Sequence, residues 1–197
     1  MKYQTFSKLF YIIDKNITKM GTFKEIKGNL ITLAYENNFD VIAQGNNCFC
    51  VQGAGIALEF VKHFHTDGFN LEEKQHRGDI NKLGQIDYER LHFSKWDQKF
   101  ERYPDDGDTI EFNMYVVNCY SQYNYGKNHT DGVSKPIDYE ALTLCMRKIN
   151  VAFKGKRIGL PLIGTGLAGG DFSIIKEIFK KELKDCDVTI VHFKKDW

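Results

Sequence analysis

Short apolar runs alternate with helical repeats along most of the chain. Runs rich in β-branched and aromatic residues predict strands. These predicted strands cover 22–27, 40–45, 109–120, 157–163 and 187–193, with a more mixed one around Tyr88, Leu91 and Phe93 inside 83–100. Apolar residues spaced three and four apart predict helices. These predicted helices cover 53–64, 70–75, 136–153 and 171–183, and the third begins at a proline, which suits a first helical turn.

Strands separated by long helices are typical of an α/β fold, in which a largely parallel sheet is covered by helices on both faces. The turn-forming residues at 103–108 lie between two predicted strands, and this indicates an antiparallel pair within a mixed sheet. We expect residues 1–20 to be an N-terminal extension, in which Phe6, Leu9, Phe10 and Ile13 share one face of a predicted short helix. We expect 21–197 to form one domain.

Composition and charge narrow the class of protein. The chain has 197 residues, of which 42% are hydrophobic and 27% charged, so it is globular. A net charge of +1 argues against a nucleic-acid surface. The apolar stretch near the N-terminus is short and no small-residue cleavage site follows it, which argues against a signal peptide. No apolar run reaches the roughly 18 residues that a membrane span needs, so we expect no membrane contact. Five irregularly spaced cysteines without a CxxC pair fit reduced thiols, so we expect a cytoplasmic protein without a metal site. We expect no cofactor.

Two glycine-rich loops follow predicted buried strands and open predicted helices. The first runs through 46–52 into Gly53-Ala54-Gly55, and the second covers 164–170 before Asp171. Loops at the carboxyl ends of strands form the ligand crevice of open α/β sheets. Backbone N–H groups at helix N-termini bind anions, so two such loops would hold a diphosphate without a lysine.

Either loop alone is equally well explained by tight turns, but two in equivalent positions favour a ligand site. Neither loop has the Gly-Lys-Ser/Thr ending of a phosphate-binding P-loop. The second loop reads G-x-G-x-x-G, yet it lies too late in the chain for a ribose-binding acid in a following βαβ unit. A dinucleotide dehydrogenase is therefore disfavoured.

Three segments resemble the signatures of the macrodomain family: GNLI at 28–31, the Asn47 segment running into GAGIA at 53–57, and LPLIGTGL at 160–167. The resemblance covers most of the chain. It is closest to the branch of ADP-ribose 1″-phosphate phosphatases, of phage and cellular type, and terminal ADP-ribose protein glycohydrolases. It implies a three-layer α/β/α fold with a six-stranded mixed sheet and a cleft for ADP-ribose.

The resemblance also implies a set of ligand-binding residues that line this cleft. They are Asn29 and Leu30 beside the base, Asn46 and Asn47 at the distal ribose, Gly53, Ala54, Gly55 and Ile56 in the first phosphate loop, and Gly164, Thr165, Gly166, Leu167 and Ala168 in the second. Asn29 stands where the family has an aspartate that accepts a hydrogen bond from adenine. Two roles stay open for it: a weaker, neutral base contact, or a helix N-cap. For Phe172 and Phe193 a core position is favoured over packing on a sugar or base.

The resemblance implies less about catalysis than about ligand binding. Glycohydrolases of this branch use a lysine late on the long strand, where this chain has Gln122, and glutamine cannot form a Schiff base. The catalytic candidates are Asp171, as a general base or as a helix cap, and Asn47. His129 is a weaker candidate on a lid, and we expect His63 and His65 on the surface.

Three functions follow from these residues. The leading one is hydrolysis of an ADP-ribose derivative, with ADP-ribose 1″-phosphate as the best-fitting substrate and ADP-ribosylated protein as a further partner. The alternative is a non-catalytic module that recognises ADP-ribose. A third, binding of RNA adenylate ends, is disfavoured by the near-zero net charge.

Overall fold

The computed structural model describes residues 21–68, 77–94, 111–125 and 136–193. The strands in these ranges are β1 (Phe23–Gly28), β2 (Val41–Asn47), β3 (Ile86–Ser94), β4 (Glu111–Gln122), β5 (Arg157–Leu160) and β6 (Asp187–Phe193). The α-helices are α1 (Leu30–Tyr35), α2 (Gly55–Phe64), α3 (Tyr139–Ala152) and α4 (Phe172–Glu182). Short 3₁₀ turns cover Thr66–Gly68 and Ile80–Lys82.

The strands form one six-stranded sheet in the order β1-β6-β5-β2-β4-β3. All neighbours are parallel except β3, which runs antiparallel to β4. The predicted mixed sheet is therefore confirmed. Because the first five strands in this order share one direction, their carboxyl ends meet at a single edge of the sheet.

Helices cover both faces of the sheet. On one face, Leu142 and Met146 of α3 pack with Phe179 of α4 over the inward side chains of the sheet. On the other face, Phe60 and Phe64 of α2 pack with α1 over a second cluster. Successive residues of β2 pack into opposite clusters, because side chains alternate between the two faces of a strand. The three-layer α/β/α architecture is thus confirmed.

Most element bounds differ from the sequence-based prediction by one or two residues, and three larger differences have a local physical cause. Helix α1 was not predicted, because its six residues are too few to show a helical repeat. Strand β5 ends at Leu160 rather than residue 163, because Pro161 has no N–H to continue the ladder. Helix α3 begins at Tyr139 rather than at the proline, and the Asp138 side chain caps it by accepting from Ala141 N.

Some predictions lie outside the described residues: the extension 1–20, the helix at 70–75, the turn at 103–108 and His129. Within the described ranges, no helix is long and apolar enough to cross a membrane. All five cysteines carry free thiols.

Candidate functional site

The two glycine loops lie side by side at the carboxyl edge of the sheet. The first follows β2 and the second follows β5, and these strands are parallel neighbours. Contact between the two chain segments is close at Gly45, where an added Cβ would come within 3.0 Å of Ile163 Cγ2. The predicted juxtaposition of the loops is therefore what this topology produces.

Helix α2 begins without a side-chain cap, since its N-cap residue is Ala54 and its first turn holds no acid. The other α-helices of the described ranges are capped by Asn29, Asp138 and Asp171. Among the described atoms, none accepts a hydrogen bond from the backbone N–H of Gly53, Ala54, Gly55 or Ile56. Residues 53–55 are also exposed. The first loop thus presents a row of unused donors at the positive end of a helix.

The second loop is a tight glycine turn. Gly164 adopts a positive φ of 80°, and Gly170 N donates to Gly164 O at 2.7 Å. A Cβ on Gly164 would lie 2.7 Å from Ile137 Cδ1, so only glycine fits there. In the part of the chain that the structure covers, the N–H groups of Gly166, Leu167 and Ala168 have no acceptor. The second loop therefore adds further unused donors next to the first.

No cationic side chain belongs to either loop. Segments 45–58 and 161–172 contain neither lysine nor arginine. The Thr165 hydroxyl donates within its own loop, to Leu162 O at 2.9 Å. Any anion held here would consequently be held by backbone N–H groups and the dipole of α2. The described residues contain no group of three or more His, Cys, Asp or Glu side chains arranged to hold a metal.

Asn46 and Asn47 both lie at the end of β2, but their side-chain amides differ in their hydrogen bonds. Asn47 Oδ1 accepts from Phe49 N and Val51 N, each at 3.1 Å, so this side chain shapes the loop. Asn46 Oδ1 accepts from Asn47 N at 2.8 Å, while its Nδ2 has no hydrogen-bond partner among the described residues, although the residue is 3% exposed. A buried donor without a partner is rare in native proteins. Asn46 therefore brings an unused donor to the first loop.

The candidate acid Asp171 sits where the second loop enters α4. Its Oδ1 accepts from Ser173 N at 2.8 Å and from Ser173 Oγ at 2.6 Å. Its own N–H donates to the Tyr139 hydroxyl at 2.8 Å. Asp171 is exposed and caps the helix. This capping uses Oδ1 of the carboxylate.

Strands β6 and β1 lie beyond β5 on the side of the sheet away from β2, and their carboxyl ends are at the same edge as the two loops. Asn29 Oδ1 accepts from Ile31 N at 2.9 Å, so Asn29 is the N-cap of α1. Gly28, just before it, is aligned with Phe193 across the two strands. Phe193 is 71% exposed, so the predicted core position is wrong for this ring. Phe172 does pack against the core, and its ring also contacts His192.

The remaining predicted residues are distributed as follows. Leu30 and Ala168 are buried, Ile56 is half-buried, and Leu167 is exposed. Gln122 ends β4 in register with Asn47 and donates to Asn124 O. His63 and His65 are exposed, as predicted.

One polar cluster near the site is not marked by any sequence motif. Tyr120 of β4 donates its hydroxyl to Asp87 Oδ2 of β3 at 2.5 Å, and Cys50 Sγ lies 3.7 Å from that hydroxyl. Burial, and then the charge of Asp87, raise the pKa of Tyr120 far above its usual value, so the phenol stays protonated. A cavity of about 100 Å³ beside the pair is lined partly by Asp79 and Lys82, and by no residue of the glycine loops.

Comparisons with known proteins agree with this geometry. No protein-family model matches the chain. It is 29% identical over 182 residues to the uncharacterized 17.5 kDa protein in the tk-vs intergenic region of Enterobacteria phage T4, across 88% of this chain and 96% of that protein. The macrodomain of Mycobacterium tuberculosis DarG has a similar structure, with a TM-score of 0.54 at 17% identity over 87% of this chain and 97% of that one. The Trypanosoma brucei macrodomain in complex with ADP-ribose has a TM-score of 0.52 at 15% identity, covering 88% and 65% of the two chains. The chain therefore has the macrodomain fold.

Proposed function

We propose that this protein binds ADP-ribose or a close derivative, with the diphosphate between the two glycine loops. The observation that carries the proposal is the uncapped N-terminus of α2, whose unused N–H groups follow β2, while those of the second loop follow the neighbouring parallel strand β5. A helix N-terminus carries roughly half a positive charge, which favours an anion. That the Trypanosoma brucei macrodomain of the same fold has been solved with ADP-ribose supports this choice of ligand.

The two ends of the crevice suit the two ends of such a ligand. The exposed ring of Phe193 offers a stacking surface for the base beside Asn29, with Leu30 in the core beneath. At the other end, the unused Nδ2 of Asn46 would donate to a hydroxyl of the distal ribose. Asn47 would act there by holding the loop in shape. The ligand would thus run from β1 and β6 towards the end of β2.

Hydrolysis of ADP-ribose 1″-phosphate is the second part of the proposal. Water would attack the phosphorus of the 1″-phosphate and give a proton to Asp171 as general base. The P–O bond to ADP-ribose would break, releasing inorganic phosphate, and the departing ribose oxygen would take a proton from solvent. Backbone N–H groups would stabilise the developing charge. The observation favouring a recognition module instead is that Asp171 and Asn47 already make hydrogen bonds within the protein. These hydrogen bonds weigh against catalysis and leave the proposal of binding unaffected.

A single substitution tests the binding site. Ala54→Asp places a carboxylate beside the unused N–H groups of α2. It should stabilise the fold by roughly 0.3–1 kcal/mol through the helix dipole. It should weaken ADP-ribose binding about tenfold or more, equal to about 1.4 kcal/mol. Because stability should rise while affinity falls, a loss of affinity in this variant cannot be explained by unfolding.

Calorimetric titration with ADP-ribose and urea denaturation measure the two effects. Val151→Asp is the charge control, since Val151 is 81% exposed on α3, away from the loops. It should leave affinity unchanged. Equal affinity of wild type and Ala54→Asp would refute the proposed diphosphate position. Incubation with ADP-ribose 1″-phosphate and with ADP-ribosylated protein separates the enzyme from the recognition module.

A further inference from the structure

Four buried polar side chains surround the start and the end of helix α2. We name them the amide network: Gln44 of β2, Asn118 of β4, Gln52 just before the glycines of the first loop, and Thr66 just after the C-cap of α2. Their relative exposures are 0%, 1%, 8% and 1% respectively. Each is therefore nearly removed from water, where a polar group needs a protein partner.

The hydrogen bonds of the network converge on Gln52 and Thr66. Gln52 Oε1 accepts from Gln44 Nε2 at 2.8 Å and from Thr66 Oγ1 at 2.6 Å. Gln44 Nε2 also donates to Asn118 Oδ1 at 2.8 Å. The Thr66 carbonyl accepts from both Gln52 Nε2 and Asn118 Nδ2, each at 3.3 Å. One acceptor, Gln44 Oε1, has no partner among the described residues.

The network connects both ends of the loop and helix to the sheet. Gln52 directly precedes Gly53, whose N–H is the first of the unused donors, and Thr66 directly follows the C-cap of α2. Moving the loop would separate Gln52 from Gln44 and leave buried amides without partners. Such unpaired groups are costly, so the loop has little freedom to shift.

We infer that Gln52 is a positioning residue, which fixes the backbone donors of the first loop in place for a diphosphate. This inference rests on the proposed function. The unpartnered oxygen of Gln44 supports it, because a polar network with an unmet acceptor is a poor source of stability compared with apolar packing. Buried polar groups of this kind make physical sense when they specify one geometry.

Gln52→Met tests this inference, because methionine fills similar space without hydrogen bonds. We expect the affinity for ADP-ribose to fall at least tenfold. The matched control is Asn150→Ala, which removes an equally buried amide that exchanges hydrogen bonds with Asp185. Asn150 lies near the C-terminus of α3, away from both loops, so this variant should lose stability and keep wild-type affinity.

Gln52→Glu adds a readout that a purely structural role would not change. When protonated, the carboxyl group can still donate to the Thr66 carbonyl, but when ionised it faces that oxygen with a negative charge. The affinity of this variant should therefore rise as pH falls from about 8 to about 5, within the range where a buried glutamate titrates. Wild type should show no such rise.

The outcomes separate the inference from the proposed function. Wild-type affinity in Gln52→Met would overturn the inference and leave the function intact. Failure of the wild-type protein to bind ADP-ribose would overturn the function. In that case, the amide resonances of 53–56 in the unliganded protein decide the inference. Broadening in Gln52→Met but not in Asn150→Ala supports it, and unchanged resonances in both overturn it.

Discussion

Two hydrogen bonds join the Asn47 side chain to the Val51 backbone across the first loop. Asn47 Nδ2 donates to Val51 O at 2.7 Å, and Val51 N donates to Asn47 Oδ1 at 3.1 Å. The chain between them is thereby closed into a fixed turn that leads to Gln52 and the glycines. An asparagine predicted from a resemblance to contact a ribose thus also organises the loop that would hold the phosphates.

Asn47→Ala should therefore lower both stability and affinity. The N–H groups of Phe49 and Val51 lose their acceptor, which should lower the free energy of unfolding by about 1–3 kcal/mol. Asn46→Ala is the matched variant, because the Asn46 Nδ2 has no partner to lose within the described part of the chain. It should reduce ADP-ribose affinity with a smaller effect on stability. Urea denaturation and calorimetry measure both, and equal stability losses in the two variants would contradict this assignment.

The positions of the two glycine loops were predictable from sequence, because glycines between a buried strand and a helix mark a turn that exposes backbone N–H groups. The loops 53–55 and 164–170 are where the pattern places them. The amide network was not predictable, because Gln44 and Gln52 meet Asn118 only through the parallel pairing of β2 with β4. The Tyr120–Asp87 pair likewise depends on the antiparallel register of β3 and β4.

Polar residues at helix starts were ambiguous for a different reason. The side chains that cap helices, such as Asn29 and Asp171, are of the same types that bind ligands. Sequence alone leaves both roles open, and the structure shows that each residue does cap its helix. For Phe193 the prediction of a core position was wrong. An apolar side chain at the last position of a buried strand can project beyond the helices that cover the sheet.

Asp171→Asn tests the catalytic proposal with little damage to the fold. Asparagine caps helices as well as aspartate does, so stability should change by less than about 1 kcal/mol. If Asp171 is the general base, release of phosphate from ADP-ribose 1″-phosphate should fall by about 10²-fold or more. ADP-ribose affinity should stay near that of wild type. Unchanged turnover would remove Asp171 from the mechanism.

Asn29→Asp tests whether this residue faces the base. Oδ1 of Asn29 accepts from Ile31 N and Thr32 N, at 2.9 and 3.4 Å. An aspartate would keep that cap and present a second, charged acceptor in place of the Nδ2 donor. Affinity for ADP-ribose should rise about three- to tenfold, because charge-assisted hydrogen bonds are roughly twice as strong as neutral ones. The hypoxanthine analogue of ADP-ribose lacks the amino donor and should gain nothing. Equal gains for both ligands would show that the base lies elsewhere.

The edge of the sheet opposite the loops is held by an ion pair between Asp40, just before β2, and Arg157, the first residue of β5. Arg157 Nη2 donates to Asp40 Oδ1 and the Arg157 backbone N–H to Asp40 Oδ2, each at 2.8 Å. Burial alone would raise the pKa of Asp40. The hydrogen bonds and charge of Arg157 outweigh burial and lower this pKa below its usual value of 3.8.

Asp40→Asn should therefore destabilise the fold near neutral pH and have less effect in acid. A carboxyl group whose pKa is lowered by folding stabilises the native state above its unfolded pKa, and this stabilisation is lost as pH falls through the folded pKa. Since the pair is partly exposed, we expect a loss of roughly 1 kcal/mol at pH 7 that shrinks below about pH 4. Urea denaturation of both proteins across this range measures it. Because Asp40 lies at the edge away from the glycine loops, ADP-ribose affinity at neutral pH should not change. A difference in stability that stays constant with pH would show that the ion pair contributes nothing through its charge.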